Sequence, residues 1–142
     1  MKVQSILAEK GTFVATISPA ASVTELCAVL TEHNIGAAVV SADGSSVEGI
    51  VSERDVVRFL AAEGAVALNS TVGDIMTEVV AVCEPDSDSD DLMMTMTERR
   101  IRHVPVVEGE NLSGIVSIGD VVKVTVAALE DEKATLLGYI TG

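Results

Sequence analysis

Polar and apolar positions along this chain alternate between two rhythms. Val23, Leu26, Cys27 and Leu30 are spaced i, i+3, i+4, i+7, which is one face of a helix. Ser22 and Glu25, just ahead of them, have the S-x-x-E form of a capping box. The runs AAVVS (37–41) and VEGIVS (47–52) flank the turn residues DGSS, which predicts a β-hairpin. A second helical pattern follows GIVS and ends at Gly64, a residue suited to a helix C-terminus. A short strand is predicted at FVATI, before Pro19, and a short helix before that, at VQSILAE.

The same order then returns. GIVSERDVV (49–57) recurs as GIVSIGDVV (114–122), with seven of nine letters identical. EHNIGAAVV (32–40) aligns with ERRIRHVPV (98–106), and Pro19 and Leu26 align with Pro85 and Leu92. The offset drops from 66 to 65 between Gly44 and Gly49, where a hairpin loop absorbs one residue. In the second copy Asp88 and Asp91 hold the cap positions, and Ser89, Leu92, Met93 and Met96 the helix face. HVPVVE and LSGIVS make the second hairpin around GEN, VVAVC before Pro85 the short strand, and VGDIMT the leading helix. The predicted fold is α/β (α+β): two β-α-β-β-α units in tandem, at 1–69 and 70–142, packed with pseudo-two-fold symmetry. The last helix is longer than its counterpart. Val122, Val126, Leu129, Leu136 and Ile140 keep a four-three spacing broken only by Lys133, which predicts self-association.

Composition narrows the partners. With 48% apolar residues the chain can bury a core, and Phe13, Phe59 and Tyr139 are its only aromatics, so that core is aliphatic. The net charge of −13 repels nucleic-acid phosphate and anionic lipid, and the stacking platforms of single-strand binders are missing. Neither nucleic acid nor membrane is expected as a partner. Cys27 and Cys83 have no CxxC or framework spacing and read as free structural thiols of a reducing compartment. MKVQSILAEKG shows no signal peptide and no run reaches transmembrane length, which predicts a cytoplasmic protein.

The repeated Ser and Asp admit two readings. Ser52 with Asp55, and Ser117 with Asp120, fit the N-cap and N3 positions of a helix, where they would do no more than cap it. The same geometry suits a nucleotide: a helix N-terminus favours phosphate, and a carboxylate can accept from ribose hydroxyls. Small residues at Gly36 and Ala38 would let a base approach the backbone.

With these motifs the chain resembles a pair of cystathionine β-synthase (CBS) domains, the Bateman module, in a stand-alone form. The resemblance covers nearly the whole chain and rests on the doubled G-h-x-S-x-x-D-h-h with NIGAAVV and RIRHVPVV upstream. It implies an adenosyl ligand (AMP, ADP, ATP or NAD/NADH) in the cleft between the repeats, with no cofactor required. It also implies a homodimer, often a flat disk of four repeats, and a regulated partner protein that the sequence does not name. By that resemblance Ser52 and Asp55 belong to one site, and Ser117 and Asp120 to the other. Backbone of the first strand at Thr16, and of the hairpin strand at Val104 and Pro105, would hold the base.

Basic residues would hold phosphate: Arg54, Arg99, Arg100 and Arg102 flank the expected cleft in an otherwise acidic chain, and His103 sits beside it. Arg54 is expected to face the phosphate of a nucleotide whose ribose Asp120 holds, making the Asp120 site the stronger. The alternative reading is a structural or scaffolding pair that regulates a partner without ligand. Catalysis is not expected, because no nucleophile–base pair or phosphate-loop motif appears. The Asp86-x-Asp88-x-Asp90 run lacks the Gly and Glu of a calcium loop, and His33 and His103 have no partner at ligand spacing, so no metal site is predicted.

Overall fold

The computed structural model describes residues 1–78 and 81–141. The first repeat runs α1 (Val3–Lys10), β1 (Thr16–Ile17), α2 (Val23–His33), β2 (Ala37–Val40), β3 (Gly49–Ser52) and α3 (Glu53–Glu63). A 3-10 turn (Gly64–Asn69) leads into α4 (Val72–Ile75) and β4 (Thr77–Glu78). The second repeat continues with α5 (Ser89–Arg99), β5 (His103–Glu108), β6 (Asn111–Ser117) and α6 (Ile118–Thr141). Ser22 and Glu25 form the expected reciprocal cap of α2, and the N–H of Gly64 closes α3 onto Leu60. Asp88 caps α5 by accepting from the N–H of Asp90, without the reciprocal bond from Asp91.

The first sheet has order β1-β2-β3-β4, with β1 parallel to β2 and the other pairs antiparallel. The second is the hairpin β5-β6, with a bulge at Val106/Val107. Of the strand predicted at VVAVC, Val79 and Val80 lie outside the described residues, and Cys83 alone bridges to Val106. Its N–H donates to the carbonyl of Pro105 (3.0 Å), and its carbonyl accepts from the N–H of Val107 (2.8 Å), as the carbonyl of Ile17 accepts from Ser41 in the first repeat. No helix among the described residues is long and apolar enough to cross a membrane.

The two cores exchange their leading helices. Val3, Ile6 and Leu7 of α1 pack with Leu92, Met96, Val104, Val116 and Val121 of the second repeat. Val72 and Ile75 of α4 pack with Val23, Leu26, Val40 and Val51 of the first. Backbone bonds fix both exchanges. Val3 and Gln4 donate to the carbonyls of Ser87 and Pro85, and Val72 and Gly73 donate to those of Ala21 and Pro19. The prolines that align in the repeat therefore mark the two docking turns. A cut between 69 and 70 divides the sequence into equivalent copies, but neither copy then holds a complete core.

The doubled glycine of GIVS is needed for close approach. A Cβ on Gly49 would sit 2.8 Å from the carbonyl oxygen of Thr77 and 2.9 Å from Sδ of Met76. On Gly114 it would meet only the tip of Leu7, at 3.0 and 3.1 Å. A backbone carbonyl paired in β4 cannot yield as a leucine tip can. We expect Gly49→Ala to destabilise the fold by about 1–3 kcal/mol, the usual range for overpacking, and Gly114→Ala by less. Urea unfolding of both variants checks this, and a larger loss at Gly114 would contradict it.

Candidate ligand-binding site

Each β-hairpin ends in a Ser that caps the following helix, so both helices start at the seam between the repeats. At the first, the N–H and hydroxyl of Ser52 donate to Oδ2 of Asp55 (2.8 and 3.1 Å), and the N–H of Asp55 donates back to Oγ of Ser52 (3.4 Å). The N–H of Glu53 donates to the carbonyl of Gly36. At the second, the N–H of Ser117 donates to Oδ2 of Asp120 (2.9 Å), that of Asp120 to Oγ of Ser117 (3.1 Å), and that of Ile118 to the carbonyl of Arg102. The capping role is thus real in both copies. It also uses the N–H groups of Glu53 and Asp55 that phosphate would need, so an anion at this helix must be met by side chains.

A cavity of about 720 Å³ opens at the first junction and reaches across to the second repeat. From the first repeat and the segment after it come Gly36, Ser52, Arg54, Asp55, Arg58 and Thr77. The second repeat supplies 99–103, the α5–β5 connection. All five arginines of the chain line this one cavity: Arg54, Arg58, Arg99, Arg100 and Arg102. Against them stand three carboxylates, those of Glu53, Asp55 and Glu78. Asp55 keeps one oxygen lightly engaged: among the described residues, Oδ1 accepts only a long 3.4 Å bond from the hydroxyl of Thr77.

The sequence-based set divides. Gly36, Ser52, Arg54, Asp55, Arg100, Arg102 and His103 line the cavity, whereas Thr16, Ala38, Val104, Pro105, Ser117 and Asp120 do not. Ala38 and Val104 are fully buried in the two cores. Thr16 is committed to its register with Val39, and the Pro105 carbonyl to Cys83. Arg54, expected to act with Asp120, lines the cavity together with Asp55, and Asp120 does not line it. Asp120 is held elsewhere, by Lys10 of α1, whose Nζ lies 2.7 Å from Oδ2 and also donates to the carbonyl of Ile115 (2.9 Å). Burial raises the Asp120 pKa, but Lys10 and Ser117 together outweigh it and bring the carboxyl below its ordinary range.

Arg99, expected beside the cleft, also lines the cavity, and Arg58 and Thr77 are additions to that set. Arg58 was legible as the residue one helical turn from Arg54, on the same face. Lys10 carried no signal, since it lies on the leading helix α1, outside the repeated motifs. Burial, with the charges of Lys10 and Arg102, pushes the pKa of His103 below the ordinary histidine range, while Asp120 and Glu53 oppose the shift. Cys83 is buried, which raises its thiol to about 11 and makes it unreactive. Cys27 is half-buried against the first core.

The chain belongs to the CBS-domain family: the family model for the CBS domain matches residues 12–62 and 72–127. It is 39% identical over 117 residues to the mitochondrial CBS domain-containing protein CBSX3 of Arabidopsis thaliana, covering 80% of this chain but only 57% of that protein. A crystal structure of a CBS-domain protein from Agrobacterium tumefaciens superposes with a TM-score of 0.83 at 46% identity, over 88% of this chain and 99% of that one. The CBS domain pair of protein MJ0100, solved with 5′-methylthioadenosine and S-adenosyl-L-methionine, matches at a TM-score of 0.79 and 25% identity, over 90% of this chain and 98% of that one.

Arg100 sits in this cavity in an unfavourable conformation. It ends α5 with φ 54, ψ 43, the left-handed region, where the equivalent residue of the first repeat is Asn34 at φ 51. Asn tolerates that region; a long unbranched side chain gains nothing local from it. Strain of this kind collects where a side chain serves a ligand. We expect Arg100→Asn to stabilise the fold by about 0.5–1 kcal/mol, of the order of the left-handed penalty, while weakening anion binding. Thermal unfolding and ligand titration of the one variant test both halves, and a loss of stability without loss of binding would reject the assignment.

Proposed function

We propose that this chain is a regulatory, ligand-sensing module that binds an adenine nucleotide in the cavity between its repeats, with AMP, ADP, ATP and NAD or NADH as the candidate ligands. No resident cofactor or catalytic step is part of this reading. The observation that carries it is the gathering of every arginine into one cavity by a chain of net charge −13. Arginine forks bind phosphate in two charge-assisted bonds, and a partly enclosed site screens them less than open solvent does. Asp55, with a lightly engaged oxygen, suits the ribose hydroxyls. The ligands of MJ0100 support an adenosyl group, but S-adenosylmethionine carries a sulfonium cation that five guanidinium groups disfavour. A phosphate-bearing adenosyl compound fits the charge better.

Binding is expected at one site per chain, since Lys10 already neutralises Asp120. The ligand would touch both repeats, so occupancy would set how they sit and how a regulated partner reads them. Two copies form the working unit, in a flat disk of four repeats. Val57 on α3 and Val122 on α6 are the exposed apolar positions a second copy would cover, whereas Val56 and Val121 beside them are buried. A cytosolic setting accords with two free cysteines.

Calorimetric titration with adenosine, AMP, ADP, ATP, NAD, NADH and S-adenosylmethionine tests the reading. A ligand at ~100 times its dissociation constant should also stabilise the fold by ~2.7 kcal/mol. Silence with all seven would leave a scaffold that regulates a partner without ligand. Asp55→Ala should weaken binding by about 1.5–3 kcal/mol, the range for a lost bond to a charged group, and Asp120→Ala by much less. Both variants remove the same kind of helix cap, so each controls for the other. Arg58→Ala should reduce affinity for ADP and leave that for adenosine nearly unchanged.

His103 adds a pH signature. Its lowered pKa leaves it neutral in the empty site at neutral pH, and an adjacent phosphate would raise that pKa. Binding then takes up a proton, so His103 should favour phosphate ligands increasingly as pH falls below the ordinary histidine value. Comparing ADP affinity at high and low pH in wild type and His103→Gln isolates this from protonation of the phosphate itself. Identical pH dependence in the two proteins would remove His103 from the site.

A further inference from the structure

His103 stands between the two junctions. It lines the arginine cavity at the first. On β5 it is also paired with Ser117, the residue that caps α6 together with Asp120 at the second. The carbonyl of Arg102, next to it in the chain, accepts from the N–H of Ile118 at that second junction. Four charged groups act on the imidazole: Lys10 from α1, Asp120 from α6, Glu53 from α3 and Arg102 ahead of its own strand. Glu53 and Arg102 line the cavity, and Lys10 and Asp120 do not. Those two are tied to each other, Nζ to Oδ2 at 2.7 Å, and Lys10 is fixed further by the carbonyl of Ile115. Its place is set by the docking of α1, whose Val3, Ile6 and Leu7 are buried in the second core.

We propose, on the reading of the cavity as a phosphate site, that Lys10 governs anion binding there from the second junction, acting through Asp120 and His103. An imidazolium at His103 would add positive charge to the cavity. Burial disfavours that charge, and Lys10 opposes it twice. The ammonium repels the imidazolium directly, and its tie to Asp120 uses a carboxylate that would otherwise favour the charge. With Lys10 in place, His103 stays neutral until the pH falls below the ordinary histidine range. An arriving phosphate reverses the balance by setting negative charge beside His103. Binding in the acid range then takes up a proton, and the imidazolium in turn weakens the hold of Lys10 on Asp120. Lys10 does not line the cavity; it is a positioning residue for the charge of His103. Occupancy of the cavity is thereby felt at the end of α1, a helix outside the site.

Two measurements made without nucleotide test this. The first is the titration of His103 by nuclear magnetic resonance. His33 is the only other histidine, so His103→Gln assigns the signals. The His103 midpoint should rise in Lys10→Met and keep its wild-type value in Lys10→Arg, which retains the charge. Asp120→Asn, which removes the favouring carboxylate, should lower it. An unmoved midpoint in Lys10→Met with native circular dichroism overturns the proposal, even if adenine nucleotides bind. The second is pyrophosphate affinity across pH. Near the ordinary histidine pKa, Lys10→Met should bind pyrophosphate about threefold or more tighter than wild type, although it carries one positive charge fewer. Where His103 is neutral in both proteins it should bind no tighter. In the His103→Gln background the effect of Lys10→Met should lose its pH dependence. Weaker binding at every pH would make Lys10 a distant attracting charge and sink the proposal, as would a pH-dependent effect that survives in that background. Absence of pyrophosphate binding in all the proteins would sink it too. Silence of adenine ligands with the expected pyrophosphate and titration results would refute the nucleotide reading and support this coupling.

Discussion

The exchange of leading helices is the contact on which the rest of the molecule depends. Each hairpin and the two helices that flank it leave one side of their core uncovered. The missing layer comes from the other copy: α1 closes the second core with Val3, Ile6 and Leu7, and α4 closes the first with Val72 and Ile75. The repeats therefore cannot part without opening both cores. The seam between them becomes a fixed cleft, and whatever side chains the two copies place along it become a site. The strict glycine at Gly49, with the Thr77 carbonyl 2.8 Å from where a Cβ would stand, shows how closely the connecting segment is drawn in.

The duplication makes two equivalent junctions by geometry, and unequal chemistry separates them. At both junctions Ser and Asp cap a helix with nearly the same hydrogen bonds. At the second junction the carboxylate also meets Lys10, which comes from the exchanged helix α1. At the first, five arginines gather instead. One family carboxylate is thus satisfied within the chain, while the other faces a concentration of positive charge. The conserved-looking Ser and Asp alone say nothing of this difference. It is set by single residues on the elements opposite them.

The sequence made the fold legible because repetition supplied an internal comparison: hairpins, capped helices and leading helices were each seen twice. The exchange of those helices was not legible, because a helix of eight residues carries no mark of which core it enters. Site residues divided on the same line. Residues at the junctions themselves (Ser52, Arg54, Asp55, His103) follow from the motif and line the cavity. Ala38 and Val104 stand on the strands behind, with their side chains buried in the two cores. The pseudo-two-fold axis suggests which junctions face each other but not where a long side chain ends, so the cavity that Arg54 lines is seen only in the structure. The partner of Asp120 was invisible for a similar reason: it lies 110 residues away and only the helix exchange brings it near.

These features bear on how a ligand could act. Five guanidinium groups around one empty cavity repel one another, and three carboxylates offset only part of that charge. Arg100 adds backbone strain, held in a left-handed conformation at the end of α5. Both costs fall at the boundary where first-repeat residues face the α5–β5 connection of the second. A polyanion entering there would neutralise the repulsion and engage both sides at once, with differential affinity for the closed arrangement of the repeats. That differential is what a ligand needs in order to shift a conformational equilibrium. The helix exchange prevents the repeats from separating, so the available response is a small change in their relative setting, carried outward by α6, which begins at the second junction and ends beyond the body of the protein.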